Sequence, residues 1–256
     1  MTADRWTQAV RHRPGPGRLL PLGGAGDGAW IAEAAAGAVL RRAAAEVPGV
    51  RPGRLRITLA DPADTREPVV PAPASALPPG SLRVTADFAA TAAEPLPATA
   101  SRLRLALAEA AAQRLGLTVT EVDLRVTDLL EQNREQVHDE VHEEEREERR
   151  EAGPADGPAQ PARPRESTRP DEARAAAAAL AVPGVSHLAD ALCGPGRAVH
   201  IEERREDAAL SHRHVRVEVA VDGHHRALDV ARQVRAAVRE SLDDHPTVAV
   251  LVTTVG

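Results

Sequence analysis

Lysine and tyrosine are missing from this 256-residue chain, and asparagine (Asn133), cysteine (Cys193) and phenylalanine (Phe88) each occur once. All of the 32 basic residues other than histidine are therefore arginines. Such a bias toward Ala, Arg, Gly and Pro reflects GC-rich codons and carries no functional message. The lone Cys193 excludes an internal disulfide and points to a reducing compartment. No apolar run approaches the roughly 20 residues that a membrane-crossing helix needs; Ala175–Val182 is too short and too weakly hydrophobic. Arg5, Arg11 and Arg13 have no apolar core behind them, so no signal peptide is readable. The net charge of −6 argues against a nucleic-acid partner, because phosphate neutralisation needs a basic face. The expected location is cytoplasmic, without a span of its own.

What the chain does have is a repeat. Val47-Pro48-Gly49-Val50 returns as Val182-Pro183-Gly184-Val185, each time closing an Ala/Arg/Glu-rich helical stretch. Leu82-Arg83-Val84-Thr85-Ala86 returns as Val215-Arg216-Val217-Glu218-Val219, which matches Val84 with Val217. Ala100–Leu107 returns as Ala231–Val238, which matches Leu103 with Val234. Three matches in one order at a nearly constant offset mean two copies of one small domain. With 43% hydrophobic and 27% charged residues, the chain can build two small cores.

Each copy reads as helix, strand, strand, helix, strand. In the first, Ala29–Val47 is an Ala-rich helix stopped by Pro48-Gly49. Arg54–Leu59 and Leu82–Phe88 alternate apolar and polar residues, the pattern of half-buried strands. The Pro-rich stretch 61–81 between them cannot be sheet and reads as an ordered-to-floppy loop. Leu103, Leu107, Ala110, Ala111 and Leu115 form a helical stripe, and Val119–Thr127 closes the unit. In the second copy the helices are Glu172–Ala181 and the stripe from Leu228 to Leu242. Its strands are Arg197–Arg204, His214–Val221 and Thr247–Thr254, the last apolar on both faces and so doubly covered. Strand–helix–strand returns of this length make right-handed parallel crossovers. The fold class is thus α/β (α+β), with two tandem αββαβ domains. Each is a three-stranded mixed sheet with two helices on one face.

The boundaries follow. Residues 1–16 are an arm, 17–130 the first domain and 171–256 the second. Between them, 131–170 changes character: Glu131–Glu151 is almost wholly charged, with Glu145 and Arg149 at helix-pairing distance. Gly153–Pro170 is a Pro/Gly linker.

From Gly17-Arg18-Leu19-Leu20, through the helix ending Val47-Pro48-Gly49-Val50, to Leu115-Gly116-Leu117-Thr118-Val119-Thr120-Glu121-Val122-Asp123-Leu124-Arg125-Val126-Thr127-Asp128-Leu129, the chain resembles the alkaline shock protein family of bacterial envelope stress proteins. The Gly-Leu helix exit followed by a long alternating strand is the most specific part. The second copy lacks the opening arm and the Gly-Leu exit. The resemblance implies a small non-enzymatic domain that assembles with itself or with related proteins at the inner face of the membrane, through a membrane-anchored partner. It brings no catalytic residues, metal or cofactor.

His138 and His142 stand one helical turn apart, as zinc ligands do. Asp139 follows the first of them where a metallopeptidase has Glu, and the segment is too polar to be buried. A metal-dependent hydrolase at this pair is the weakest alternative. His212 with His214, and His224 with His225, read as surface histidines. Cys193 has His200 nearby but no oxyanion donor or orienting carboxylate. Gly23–Gly28 lacks the strand, the lysine and the spacing of a phosphate loop; it reads as an arm turning into the first helix, with Asp27 as its cap. A KH-like nucleic-acid module shares the element types but needs a Gly-x-x-Gly clamp between two helices and a basic rim. No catalytic constellation assembles. The expected partner surface is the polar sheet face carrying Arg54, Arg56, Arg83, Asp87, Asp123 and Arg125.

Overall fold

The computed structural model describes residues 17–130, 169–189, 197–204 and 212–256. The arm 1–16, the charged segment with His138 and His142, most of the 131–170 linker and Cys193 lie outside the described residues. In chain order the elements are β1 (Leu19–Pro21), β2 (Ala29–Ala32), α1 (Glu33–Ala45), β3 (Val50–Leu59), β4 (Leu82–Thr91) and α2 (Leu96–Glu109). The chain continues from α2 in a wider π turn over Ala110–Leu115, then β5 (Val119–Leu130). After the linker come α3 (Pro170–Leu180), β6 (Val185–Leu188), β7 (Val199–Arg204), β8 (His212–Val221), α4 (Ala227–Glu240) and β9 (Thr247–Val255). This is the expected mixture of helices and mixed sheets, and among the described residues no helix is long and apolar enough to cross a membrane.

The helix–strand–strand–helix–strand order occurs twice, with the same pairing. In the smaller sheet, β3 runs antiparallel to β4 and β5 parallel to it. In the larger sheet, β6 and β7 run antiparallel to β8, and β9 parallel to it. Together β6 and β7 span β8 as the continuous β3 spans β4. The two Pro-Gly stops are also equivalent. Gly49 has φ +74 and Gly184 has φ +90, the left-handed region that a side chain disfavours. Each glycine carbonyl then accepts an amide from the end of the central strand, Thr91 in one case and Asp222 in the other, both at 2.9 Å.

The register of the repeat differs from the one read from the sequence. The β4–β5 ladder skips Thr127 after Phe88↔Val126, and the β8–β9 ladder skips Thr253 after Val219↔Val252. In each bulge the skipped threonine hydroxyl donates to the facing carbonyl at 3.3 Å, Thr127 to Phe88 and Thr253 to Val219. Phe88 therefore corresponds to Val219, and Val84 to Val215, not to Val217. A strand repeats every two residues, so a two-residue slip keeps the same face inward and leaves no mark on the hydrophobic pattern. The helices carry no such ambiguity. Leu103 and Val234, both buried, hold the same place in two helices of 14 residues.

The largest departure lies at the start of the chain. The Ala29–Val47 stretch, expected to be all helix, is strand over Ala29–Ala32, and Leu19-Leu20 is strand as well. The two strands pair antiparallel as a hairpin, and β2 then joins β9 in parallel, with Trp30 opposite Leu251 and Ile31 opposite Val252. The larger sheet thus has six strands rather than three, in the order β1-β2-β9-β8-β6 with β7 also on β8. A four-residue apolar run buried on both faces suits an interior strand, and the helix starts only at Glu33. Gly23–Gly28 is consequently a hairpin turn, and Asp27 closes the turn by accepting the Gly24 amide at 2.7 Å instead of capping a helix.

The Pro-rich insertion runs along the outer side of this hairpin. Leu19 donates to Ser75 O at 3.1 Å, Leu77 to Leu19 O at 2.8 Å and Val69 to Ala25 O at 3.0 Å. Val70 is buried against Gly28. Its prolines leave few donors, so it meets β1 through isolated bonds and does not form a regular strand.

One contiguous core joins the two copies, taking in Trp30, Leu40, Phe88, Leu107, Val217 and Val234. Helix α1 touches β3 of the smaller sheet and both β2 and β9 of the larger. Its buried face is mostly Ala35, Ala36, Gly37, Ala43 and Ala44, small side chains that let two sheets approach one helix. At the exit of the π turn, Gly116 has φ +87 and lies against Leu228 of α4.

Candidate interaction surface

Alternation in the smaller sheet sorts its side chains. Ile57, Val84, Ala86 and Phe88 are buried toward α1 and α2, with Leu55, Val122 and Leu124 partly buried beside them. The other face carries all six residues expected there. The ladders place Arg56, Thr85 and Asp123 in one row, Thr58, Arg83 and Glu121 in the next, and Asp87 beside Arg125. Arg54 sits in a bulge of β3 between Pro52 and Leu55, opposite Asp87. The bulge needs Gly53, because a methyl group there would lie 3.0 Å from the Asp87 carbonyl oxygen.

The charges on this face are unevenly committed. Arg83 is held on the acidic side: its Nε donates to Glu121 Oε2 at 2.8 Å and lies 3.6 Å from Asp123. Glu121, the main partner of Arg83, was readable only as one more polar position, because cross-strand pairing requires the register. Arg54, Arg56 and Arg125 are exposed and form no ion pair with a described residue. The face therefore offers Arg54 and Arg56 along β3, and Glu121, Asp123 and Arg125 along β5.

Among the described residues, the larger sheet has no comparable open face. Its central strands bury Val215, Val217, Val219, Val248, Val250 and Val252 on one side, beneath α3 and α4, and Ala249 and Leu251 on the other. His214, read from the sequence as a surface histidine, is buried on that second side with its Nδ1 2.9 Å from Thr247 Oγ1. Glu218, four residues along on the same face, is buried too. His212, His224 and His225 are exposed. At the border of this face His200 Nε2 lies 3.2 Å from Glu202 Oε1.

A second polar cluster fastens the hairpin to α4. Arg232 contacts both carboxylate oxygens of Asp27, and Arg235 donates to the Gly26 carbonyl. Burial raises the Asp27 carboxyl, but the hydrogen bonds from Arg232 and Gly24 and the charges of Arg232 and Arg235 outweigh it and hold the group below the ordinary carboxylate range. Near the start of β8, hydrogen bonds from Arg174 and Arg213 likewise lower Asp171. Both clusters are structural ties between elements.

The hairpin turn also borders an open cleft of about 200 Å³ whose lining includes Gly23, Gly24, Asp64, Arg66, Ser81 and Thr118. Those side chains are carboxylate, guanidinium and hydroxyl groups without a general base beside a nucleophile. Among the described residues, no group of three or more His, Cys, Asp or Glu side chains is placed to hold a metal ion.

Sequence reading did not single out the outer edge of β5. Val126 is 39% exposed and Leu129 55% exposed there, although both occupy inward-pattern positions. The bulge at Thr127, visible only as a break in the alternation Val126-Thr127-Asp128-Leu129, is the one signal that could have drawn attention to it. Comparison of the chain with protein-family models, with curated proteins and with solved structures gave no match.

Proposed function

We propose that this chain is a non-enzymatic assembly module that binds another protein through the open face of the smaller sheet. One observation carries the reading. Of two sheets built on the same plan, the larger is buried on both sides along its central strands, while the smaller leaves Arg54, Arg56, Arg83, Asp87, Asp123 and Arg125 on a face that no described element covers. A face of alternating charge gives a partner little apolar area but a definite orientation, the usual work of charge complementarity. The Leu115–Leu129 pattern extends the proposal to the envelope stress response, with a membrane-anchored relative as partner.

The test starts from the native host, with the chain purified and the proteins that co-purify identified. The affinity of each candidate is then measured for the wild-type chain and for the Arg56→Glu/Arg83→Glu/Arg125→Glu variant. Reversing these charges leaves Arg54 as the only arginine among the six residues of the face and should weaken binding about tenfold or more while the unfolding midpoint changes little. Unchanged affinity would refute the face as the site. A stoichiometric metal lost with His138 and His142, together with a hydrolytic activity lost alongside it, would replace the reading with an enzyme.

A further inference from the structure

The two copies differ most at one matching edge. In the larger sheet, β2 lies along β9 at Val250–Val252. The ladders to the central strands set Val250 level with Leu124, and Val252 level with Val126. On β5 those positions form the outer edge of the smaller sheet, with no strand beside them among the described residues. A long strand edge with two exposed apolar side chains invites pairing unless it is guarded. The guard here is light. Arg104, exposed on α2, donates from Nε to the Val122 carbonyl at 3.3 Å.

The residues on β5 say what kind of strand would fit. On β9 the strand is apolar on both faces, and its neighbour is the apolar Ala29–Ala32. On β5 the edge alternates Asp123 and Arg125 outward with Val122, Leu124 and Val126 inward, unbroken between the bulges at Thr120 and Thr127. A complementary strand needs a cation facing Asp123, an anion facing Arg125 and apolar residues between. An antiparallel copy of the same strand has them in that order.

We infer that a second copy of the chain covers this edge, the two β5 strands pairing antiparallel about a twofold axis at Leu124. Asp123 then faces the partner's Arg125, Arg125 faces the partner's Asp123, and Val122 faces the partner's Val126. Leu129 is brought toward the partner's Val119, and Arg104 swings clear. The register is selective. A slip of one residue sets charged positions against apolar ones on opposite faces. A slip of two puts either Asp123 against Asp123 or Arg125 against Arg125 on the axis, and like charges directly opposed destabilise a strand pair. The self-pairing interface is isologous, the form closed dimers take.

This inference deepens the assembly reading and rests on its premise that the smaller sheet is where protein binds. Sedimentation equilibrium on the full chain tests it. The wild type should dimerise, and Asp123→Arg or Arg125→Asp alone should weaken the dimer at least about tenfold by opposing like charges. The double variant Asp123→Arg/Arg125→Asp should regain the dimer, as should an equimolar mixture of the two single variants, which can pair only with each other. A monomeric wild type, a dimer indifferent to both single changes, or single losses that neither the double variant nor the mixture restores would each overturn the pairing. A monomeric wild type would leave the face reading standing. Arg54, Arg56 and Arg83 lie off this edge, and that reading is judged by the affinity of a captured partner.

Discussion

Arg232 donates from Nε to Asp27 Oδ1 at 2.8 Å across 205 residues of chain, and from a second guanidinium nitrogen to Oδ2 at 3.2 Å. The pair joins the turn of the first hairpin to the last helix. It fastens the hairpin to the sheet of the second copy although the hairpin precedes the first. The same carboxylate folds the turn from inside through Gly24, and Gly23 has to be glycine, since a methyl group there would lie 2.3 Å from Asp27 Oδ2. One side chain thus sets both the shape of the turn and its anchorage.

Asp27→Asn should lower stability by about 1–2 kcal/mol at neutral pH, since it weakens charge-assisted bonds in a half-exposed setting. The pH dependence gives the signature. The folded carboxyl titrates below its unfolded value of roughly 3.9, so its contribution is complete above that value and is lost as the pH falls through the folded one. Denaturant midpoints of wild type and variant should therefore differ at pH 7 and converge as the solution is acidified below about pH 4. A gap that stays constant into acid would mean the carboxylate charge is not what the turn uses.

Gly116→Ala probes the other tie between the copies. The new methyl group would meet Leu228 Cβ at 2.4 Å while the backbone stays at φ +87. Left-handed strain and overpacking together should cost about 2–4 kcal/mol. The loss should appear in a single cooperative transition, because the core is continuous. Two separate transitions after the substitution would show that the copies fold independently.

How much of this was legible depends on which level of structure decided it. Strands β3, β4, β5, β8 and β9 and helices α2 and α4 show in their periodicity, because each buries one face or both and the apolar spacing reports it. The outer face from Arg54 to Arg125 was legible for the same reason: inward Val84 and Leu124 fix where their neighbours must point. The hairpin was not. Ala29-Trp30-Ile31-Ala32 has no period of its own and runs without a break into an alanine-rich helix, so local propensity favoured continuing the helix to the left. Only the vacancy along β9, more than two hundred residues away in the chain, makes those residues a strand. The exposed edge of β5 was hidden too, since Val126 and Leu129 look like core positions until the neighbouring strand is known to be missing.

Sharing of the hairpin bears on what happens when the chain is cut. Read as two tandem domains, it should fall into two stable fragments. With β1 and β2 built into the sheet of the second copy, a chain cleaved at a protease site inserted within 140–165 should instead stay together. The fragments should co-elute in native size-exclusion chromatography and part only in denaturant. Separate elution under native conditions would contradict the shared sheet.

Backbone amide exchange on the dilute, monomeric chain compares the two matching edges directly. The β9 stretch Val250–Val252, closed on both sides by β2 and β8, should be protected close to the global stability, since its amides open only when the sheet does. The β5 segment Val119–Leu130 should exchange about half of its amides quickly, because alternate groups of an edge strand point to solvent. Raising the protein concentration should slow those amides and leave β9 unchanged. Protection of β5 equal to that of β9 at every concentration would show that the edge is already closed within one chain, and would contradict the assignment of this edge as the one left for a second copy.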